Sequence, residues 1–543
     1  MYSSTPRPWA VMFLMAHLLI VAFAIQSAAD YYVHHLPGIP KDAPPIKMHA
    51  GHIEIERGHN GNMFFWHFQN RHIVGRQRTV IWLNGGPGCS SEDGALMEVG
   101  PYRLKDEETL TFNNGSWNEF ANLLFVDNPV GTGFSNVDAD SYTRSLPAMA
   151  SQFVTFLENF FAIFPHYEQD DIYLAGESYA GQYIPYIAKA ILQRNEAIGK
   201  HSSSDRWNLR GLIIGNGWIS PKEQYEAYLT FTVEKGLVQE GTEEGDKLRS
   251  LVRDCQQAMG DSPTLAEYPD CGKVRAMMRD IGRAGADDQT CYNIYDVRLR
   301  EPYPACGMNW PPDLRYATPY LRRPDVVSQL NMHGHHPAWQ ECTSSVGQAL
   351  RPSADEPSVR LLPELLAAQL PILLFSGAED LSCNHAGTEA LIDALEWNGG
   401  RGFGEGAQRR AWTFGGERAG FWQEARGLTY VLFHDASHMV PLDHPQRSLD
   451  MLSRFVGVDA GRGAGDSHVE GADVAEASTL HYPYPAQLRA KPAAGTCVAC
   501  REVGQAVIVF GSVVMAVCVY FLWRWHRGRA GRKQRRDSRD EEW

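Results

Sequence analysis

The amino-acid sequence predicts an α/β fold built on a mostly parallel sheet, and three observations support this prediction. Short apolar runs typical of buried strands alternate with longer amphipathic stretches typical of helices. The chain has 543 residues, of which 44% are hydrophobic and 21% charged, as in ordinary globular proteins. Ser178, flanked by small residues, lies where a predicted strand turns into a predicted helix. Disorder throughout, a collagen helix and a small disulfide scaffold are therefore excluded.

The predicted sheet rests on six apolar runs that indicate buried strands, over 78–83, 123–127, 172–175, 212–214, 372–375 and 430–433. The amphipathic segments between them predict helices over 146–164, 179–195, 388–397 and 446–455. The alternation fails over 219–347, which carries five cysteines and many Pro and Gly residues. We interpret 219–347 as an insertion that caps the sheet.

The N-terminus has a pattern typical of export, and the C-terminus has one typical of a membrane anchor. Arg7 precedes an apolar stretch that ends in small residues, which is typical of a cleaved signal peptide, with an uncleaved anchor as the alternative. The uncharged run 503–523 is long enough to cross a hydrocarbon core of ~30 Å, and the basic residues after it indicate a cytosolic C-terminus. The predicted order is signal peptide (1–29), lumenal domain (30–457), flexible lumenal stalk (458–502), membrane span (503–523) and cytosolic tail (524–543).

The formal net charge of −14 argues against nucleic-acid binding, because phosphate neutralisation requires a surplus of Lys and Arg. Any partner is expected to be neutral or cationic. An oxidising lumen would allow cysteines to pair, and an odd number there leaves one free thiol among Cys89, Cys255, Cys271, Cys291, Cys306, Cys342 and Cys383. Asn114 begins the sequon Asn-Gly-Ser and is a candidate glycosylation site.

The segment AGESYAG around Ser178 has the pattern of a nucleophile elbow. In such a turn the serine hydroxyl projects above the sheet, and small neighbours at Gly176 and Ala180 avoid collisions. The alternative is a glycine-containing turn in which Ser178 only caps a helix.

A serine nucleophile requires a base and a carboxylate that orients this base. Asp380 follows the strand-like segment PILLFSG, and His438 follows YVLF, so both are expected beside Ser178 at the carboxyl ends of strands. His434 is the nearest rival of His438.

A glycine-rich loop, WLNGGPGCSS, directly follows the strand-like run 78–83. The N–H groups of Gly86 and Tyr179 could stabilise the oxyanion formed when Ser178 attacks a carbonyl. A nucleotide-phosphate loop is the alternative, but neither Gly-Lys-Ser/Thr nor Gly-x-Gly-x-x-Gly occurs here.

Six blocks in order resemble the serine carboxypeptidases of the α/β-hydrolase fold over about 35–457: WLNGGPGCSS, LFVDNPVGTGFS, GESYAGQYIP, GLIIGNG, DLSCN and HMVPLDHP. The resemblance implies Ser178 as nucleophile, Asp380 as acid and His438 as base, with Gly86 and Tyr179 as the oxyanion hole. It implies no cofactor and no metal.

The resemblance also implies how a substrate C-terminus is held. Its carboxylate would contact Asn84, the Gly85 amide and Glu177, and Glu177 would share a proton with Glu98. Such coupling raises an apparent pKa of the pair and favours activity under mildly acidic conditions. The resemblance further implies a bond between Cys89 and Cys342 and a free thiol at Cys383, whereas Cys255, Cys271, Cys291 and Cys306 stay open among three connectivities.

Within this family, the segments YPACGMNWP and WQECTSSVG and the predicted span most resemble a fungal, membrane-bound branch that processes secreted precursors. That resemblance implies a single-pass type I protein of the trans-Golgi network, with a lumenal catalytic domain that removes C-terminal Lys and Arg from peptide and protein precursors. Asp93 is the candidate for binding the basic side chain. The alternative is that Asp93 is simply a carboxylate at the N-terminus of a helix, where negative charge is favourable.

Three functional classes follow from these motifs. The leading one is a carboxypeptidase; an acyltransferase and a catalytically silent scaffold of the same fold are the alternatives. The histidines His333, His335 and His336 could suggest a metal, but a solvent-facing loop is the simpler interpretation. Cys497 and Cys500 lie in the predicted stalk without a second pair, and the sequence assigns them no role. It does not predict an oligomeric state.

Overall fold

The computed structural model describes residues 26–470, apart from 74, 199–204, 262, 282, 284–288, 333–337, 352–353 and 459–466. The strands are, in chain order, β1 (Met48–Glu56), β2 (Gly61–Phe68), β3 (Arg78–Leu83), β4 (Tyr102–Leu104), β5 (Leu110–Phe112), β6 (Asn122–Val126), β7 (Asp171–Glu177), β8 (Asn208–Gly215), β9 (Thr290–Asn293), β10 (Asp296–Pro302), β11 (Ile372–Gly377), β12 (Glu396–Trp397), β13 (Gly400–Arg401), β14 (Arg410–Phe414), β15 (Glu417–Ala425), β16 (Leu428–Phe433) and β17 (Ser467–Val469). The α-helices are α1 (Leu146–Ile163), α2 (Ala180–Ala197), α3 (Pro221–Glu234), α4 (Glu243–Met259), α5 (Pro269–Asp280), α6 (Leu314–Leu321), α7 (Pro324–Gln329), α8 (Ser344–Leu350), α9 (Leu362–Ala367), α10 (His385–Ala394), α11 (Val440–Asp443) and α12 (Pro445–Phe455).

Eleven of the described strands form one mixed sheet in the order β1-β2-β6-β3-β7-β8-β11-β16-β15-β14-β17. The six strands from β6 to β16 run parallel, and the pairs at both edges are antiparallel. These six parallel strands are the six that the sequence predicts. Their prediction succeeds because a parallel strand is covered on both faces and is therefore a nearly continuous apolar run.

The hydrophobic core lies in two layers, one on each face of this sheet. Successive residues of β3 point to opposite faces, so Ile81 packs with the apolar side chains of α1 and α2 while Trp82 packs with those of α12. Helix α1 contributes its stripe of buried phenylalanines, including Phe153 and Phe160, to the first layer. The helix begins at Ser145, whose hydroxyl accepts a hydrogen bond from the Ala148 amide.

Helix α10 ends three residues before the predicted end at Trp397. The prediction is wrong here because Asn398 and Gly399 both have positive φ, 44° and 80°. Two such residues form the tight turn of a hairpin, and β12 and β13 pair on either side of it.

The segment between β8 and β11 contains α3 to α9 and the β9–β10 hairpin. It has its own apolar cluster, which includes Phe231, Leu248 and Val274. The disulfides Cys255–Cys271 and Cys291–Cys306 lie inside this segment. The structure thereby selects one of the three open connectivities.

Within the described residues, no helix is both long and apolar enough to cross a membrane. The predicted span 503–523 and the cytosolic tail lie outside the described residues, as do His333, His335, His336, Cys497 and Cys500.

Candidate active site

Ser178 occupies the turn between β7 and α2. Its φ of 59° is unusual for a residue with a side chain, and hydrogen bonds fix this turn on both sides. The Ser178 amide donates to the Gly215 carbonyl over 3.1 Å, and the Ser178 carbonyl accepts from the Trp218 amide over 2.8 Å. A Cβ at Gly176 would lie 2.1 Å from the Leu83 carbonyl oxygen, so only glycine fits at position 176.

Asp380 and His438 follow the parallel strands β11 and β16, and their side chains meet. His438 Nδ1 lies 2.7 Å from Asp380 Oδ2. The Asp380 carboxylate also accepts hydrogen bonds from the amides of Ser382 (2.9 Å) and Cys383 (3.2 Å), and Asp380 is fully buried. Ser178 and His438 line the same cavity, whereas the rival His434 does not.

Asn216, to which no sequence motif assigned a role, holds the loop after β16 that carries His438. Its amide nitrogen donates to the carbonyls of Ser437 (3.1 Å) and His438 (2.5 Å), and its carbonyl oxygen accepts from the Gly377 amide (2.9 Å). Asn216 therefore ties together the ends of β8, β11 and the loop after β16. Its position directly after a predicted parallel strand was the available signal.

The glycine-rich loop packs against the nucleophile turn. A Cβ at Gly85 would lie 2.3 Å from the Tyr179 nitrogen, so only glycine allows this close approach. Gly86 has a φ of 105°, which also favours glycine. Among the described residues, the amides of Gly86 and Tyr179 donate no hydrogen bond to the protein. Both N–H groups are therefore available to an oxygen atom in the cavity.

Two buried carboxyl groups lie beside Ser178. Asn84 Nδ2 donates to Glu177 (3.1 Å) and Glu98 (3.3 Å), so the two carboxyls are brought together and act on each other electrostatically. Burial raises the pKa of Glu98 to about 7. Burial, followed by the charge of Glu98, raises the pKa of Glu177 well above its usual value. The pair consequently retains a proton at mildly acidic pH.

Asn84 is fixed by its own neighbours. Its side-chain oxygen accepts hydrogen bonds from the Trp82 indole (2.8 Å) and the Gly94 amide (3.1 Å), so its amide nitrogen must point toward the carboxyls. Glu177 lines the cavity, and Glu98 is fully buried behind it.

The cavity has a volume of about 940 Å³ and is bounded by the strand ends on one side and by the segment between β8 and β11 on the other. Tyr295 from that segment packs against His438 with ring centroids 5.0 Å apart. Cys383 carries a free, buried thiol, and its Sγ and polar atoms of Asp380 and His438 lie within 4.8 Å of one another. Burial raises the pKa of this thiol well above its usual value.

Asp93 lines the cavity and is only 7% exposed. It directly precedes the π-helical turn Gly94–Glu98, but its side chain donates or accepts no capping hydrogen bond. One of its carboxylate oxygens, Oδ1, is buried without a hydrogen-bond partner. Burial, and next the charge of Glu341, raises the pKa of Asp93 well above its usual value.

Cys89 and Cys342 form a disulfide across 253 residues of sequence, and this bond joins the glycine-rich loop to the segment between β8 and β11. Asn114 is exposed on the surface, away from the cavity.

The fold and the arrangement of Ser178, His438 and Asp380 define a serine hydrolase of the α/β-hydrolase type. The serine carboxypeptidase family model matches residues 37–458, and the chain belongs to this family. It is a serine-type carboxypeptidase.

Known relatives cover nearly the whole chain. The pheromone-processing carboxypeptidase KEX1 of Metarhizium robertsii is 56% identical over 515 residues, which are 92% of this chain and 83% of the relative. The protein of the same name from Neurospora crassa is 55% identical over 524 residues, 94% of this chain and 79% of the relative. The crystal structure of Kex1(Δ)p, a prohormone-processing carboxypeptidase from Saccharomyces cerevisiae, has a TM-score of 0.74 and 37% identity, and covers 79% of this chain and 96% of that chain.

Proposed function

We propose that this carboxypeptidase removes C-terminal Lys and Arg residues from peptide and protein precursors in the secretory pathway. The observation that carries this proposal is the unpaired, buried carboxylate of Asp93 in the cavity that also contains Ser178 and His438. A buried carboxylate without a partner is costly, and a cationic substrate group would offset that cost. The names of the relatives, pheromone-processing and prohormone-processing, agree with precursors as substrates.

The first chemical step forms an acyl-enzyme. His438 accepts the proton of the Ser178 hydroxyl as this oxygen attacks the last peptide carbonyl, and Asp380 stabilises the resulting imidazolium through the 2.7 Å hydrogen bond. The amides of Gly86 and Tyr179 bind the oxyanion. His438 then donates the proton to the leaving amine, so the C–N bond breaks and the terminal amino acid departs.

The second step hydrolyses the ester. Water takes the place of the amine, and His438 accepts its proton while the hydroxide adds to the acyl carbon. Collapse of this intermediate breaks the bond to Ser178, whose oxygen recovers the proton from His438. The products are a shortened peptide and one free amino acid.

The carboxyl pair explains why the enzyme would act at chain ends. Asn84, the Gly85 amide and a protonated Glu177 can each donate a hydrogen bond to the terminal carboxylate of the substrate. Glu98 keeps a proton within the pair. An internal peptide bond has no carboxylate to bind here, so the site selects the last residue.

The location is proposed to be the trans-Golgi membrane, with one C-terminal membrane span and a lumenal catalytic domain. The support comes from the apolar run 503–523, the basic residues that follow it and the N-terminal export pattern. The three disulfides among the described residues agree with an oxidising compartment.

The test is mass spectrometry of full-length protein incubated with peptides that end in Lys-Arg, Arg, Leu or an amide. We expect stepwise loss of Arg and then Lys, with no reaction at the amide. Ser178→Ala should abolish release, and Asp93→Asn should lower kcat/KM for Arg about tenfold or more relative to Leu. Preference for Leu would contradict the basic specificity, and transfer of the acyl group to an added alcohol in place of water would indicate an acyltransferase.

A further inference from the structure

Two further buried carboxyls, those of Glu92 and Asp127, lie against the end of the glycine-rich loop. Glu92 is 1% exposed and Asp127 is fully buried, and neither residue lines the cavity. Their side chains meet at one hydroxyl group. Ser90 Oγ lies 2.7 Å from Glu92 Oε2 and also 2.7 Å from Asp127 Oδ1.

The proton of the Ser90 hydroxyl does not suffice for two carboxylates. A hydroxyl carries one proton, so it can donate to only one of the two carboxyl oxygens. The other nearby donors, the Trp339 indole at 2.9 Å and the Glu92 amide at 3.3 Å, point toward the hydroxyl oxygen itself. If both carboxyls were ionised, one of the 2.7 Å contacts would therefore lack a hydrogen. One of the two carboxyls must carry a proton of its own.

The hydrogen-bond partners indicate that Glu92 carries this proton. Asp127 accepts the amides of Ser91 (2.9 Å) and Phe134 (2.7 Å), and such donors stabilise a carboxylate. Glu92 Oε1, in contrast, is buried without a hydrogen-bond partner, which is costly for an ionised group. Burial, followed by the charge of Asp127, raises the pKa of Glu92 well above its usual value.

The other titratable groups near Glu92 are also acidic. Asp93 follows it in the chain, and the charge of Asp127 acts on Asp93 as well. Glu341 comes from the segment between β8 and β11, and its carbonyl accepts the Ser90 amide over 2.7 Å. Among the described residues, neither Glu92 nor Asp127 forms an ion pair. A second negative charge at Glu92 would therefore be repelled.

The hydrogen bonds around Asp127 fix the glycine-rich loop at both of its ends. Asp127 directly follows β6 and accepts the Ser91 amide at the end of the loop. The Ser91 hydroxyl donates to the Val126 carbonyl over 2.6 Å and accepts from the Asn84 amide, at the start of the loop, over 3.2 Å. Gly86, a proposed oxyanion donor, lies between these two anchors.

We infer that Glu92 is a positioning residue of the glycine-rich loop and acts as a neutral hydrogen-bond donor to Ser90, whose hydroxyl in turn donates to Asp127. This inference goes beyond the proposed function, because it holds whichever residue the enzyme releases. Ionisation of Glu92 would leave two carboxylates competing for one hydroxyl proton. The loop would then shift, and the Gly86 N–H would shift with it, so kcat should fall under alkaline conditions.

The first test measures kcat of the full-length wild type and Glu92→Gln from mildly acidic to alkaline pH, on peptides that end in Arg or Leu. Glutamine is neutral at every pH and can donate an N–H group to the Ser90 hydroxyl. Under acidic conditions kcat of Glu92→Gln should therefore stay within about twofold of the wild type. At alkaline pH kcat of the wild type should fall about tenfold or more, whereas Glu92→Gln should retain its kcat.

Two further variants serve as references. Glu92→Ala removes the donor, so its kcat should be about tenfold lower than that of the wild type under acidic conditions. Glu107→Gln is the matched control, because Glu107 is an exposed glutamate. It should keep the kcat and the pH profile of the wild type.

The second test measures stability and does not require activity. Because folding raises the pKa of Glu92, the stabilisation from its proton is fully present below the usual value of 4.5 and is lost as the pH rises through the folded-state pKa. Denaturant unfolding of Glu92→Gln should therefore show a smaller decrease toward alkaline pH than the wild type. Glu98 is unchanged in this variant, so its own contribution stays the same in both proteins.

The outcomes separate this inference from the proposed function. The inference would be overturned by a Glu92→Gln protein that is as impaired as Glu92→Ala, or by one whose kcat and stability depend on pH as in the wild type. A wild type that keeps its kcat at alkaline pH would also overturn it. A wild type that releases no residue from any peptide would contradict the proposed function, and the unfolding measurements would still decide the protonation of Glu92.

Discussion

Buried carboxyls lie at two places near Ser178: Asp380 is the first group, and the Glu98–Glu177 pair is the second. Their hydrogen-bond partners differ. Asp380 receives three N–H donors, from the amides of Ser382 and Cys383 and from the His438 ring. Glu177 receives one amide N–H, from Asn84, and its other neighbour is a second carboxyl, Glu98. The two environments are equally buried, so burial alone does not determine what a carboxyl does. The donors around it decide whether it stabilises a cation or retains a proton.

This difference fits the two chemical roles that we propose. A carboxyl that is surrounded by N–H groups can hold the imidazolium that forms when Ser178 is deprotonated. A protonated carboxyl pair can instead donate a hydrogen bond to a substrate carboxylate, as protonated carboxylic acids do when an apolar site keeps them neutral. Each of the following predictions changes one side of this comparison.

The largest effect is expected from Asp380→Asn, which removes the negative charge from the first group. The amide cannot stabilise the imidazolium and favours the wrong His438 tautomer, so kcat should fall about ten-thousandfold. KM should change little. Steady-state kinetics measures both, and a thermal melt within a few degrees of the wild type would show that the fold is intact. A fall of less than about tenfold would contradict the assignment of Asp380.

The second effect concerns pH and the Glu98–Glu177 pair. Below about pH 7 Glu98 holds its proton. Above this pH Glu98 becomes ionised, and its charge helps to keep the pKa of Glu177 raised, so the pair carries a negative charge that would repel the proposed substrate carboxylate. We therefore expect KM to rise about tenfold or more as the pH increases from about 6 to about 8. The doubly substituted Glu98→Gln/Glu177→Gln protein should show a KM that hardly depends on pH in this range.

The same pair has a consequence for stability with a defined sign. The pKa of Glu98 is raised from 4.5 to about 7 by folding, so the folded protein holds a proton that the unfolded chain releases. The resulting stabilisation is fully present below about pH 4.5 and is lost as the pH rises through about 7. Denaturant unfolding across this range should show a decrease that is smaller in the doubly substituted protein. An equal decrease in both proteins would contradict the raised pKa.

The third effect tests how His438 is positioned beside Asp380. Asn216→Ala removes the hydrogen bonds to the Ser437 and His438 carbonyls and leaves the Gly377 amide without its partner. We expect kcat to fall about tenfold with KM nearly unchanged, because the substrate carboxylate site is not touched. Asn216→Asp should also be less active than the wild type, because an aspartate cannot donate a hydrogen bond to either carbonyl. A rise in KM alone would assign Asn216 to substrate binding instead.

The smallest effect is expected at Cys383, which lies beside both groups but belongs to neither. Its thiol is buried and its pKa is raised, so it stays protonated and contributes no charge. Cys383→Ala should change kcat/KM by no more than about threefold, measured on the same peptides. A loss of a hundredfold or more would show that the thiol takes part in the reaction.

The sequence was informative where one local pattern has one structural meaning. The six apolar runs identify the parallel strands because each is buried on both faces. Ser178, Asp380 and His438 could be placed together because residues after parallel strands meet at one edge of the sheet. The antiparallel strands β1 and β2 were also missed. The histidines and glutamates of β1 interrupt its apolar pattern, whereas β2 has the apolar run Met63–Trp66 that could have identified it.

The sequence by itself determined the six parallel strands of the sheet, the order of the three predicted catalytic residues and the number of cysteines available for pairing. Tertiary structure decided the disulfide connectivity, the role of Asn216 and the proximity of Glu341 to Asp93. It also decided which carboxyl retains a proton and which is surrounded by N–H donors. The physical reason is that charge state and hydrogen-bond partnership depend on neighbours that are distant along the chain and adjacent only after folding.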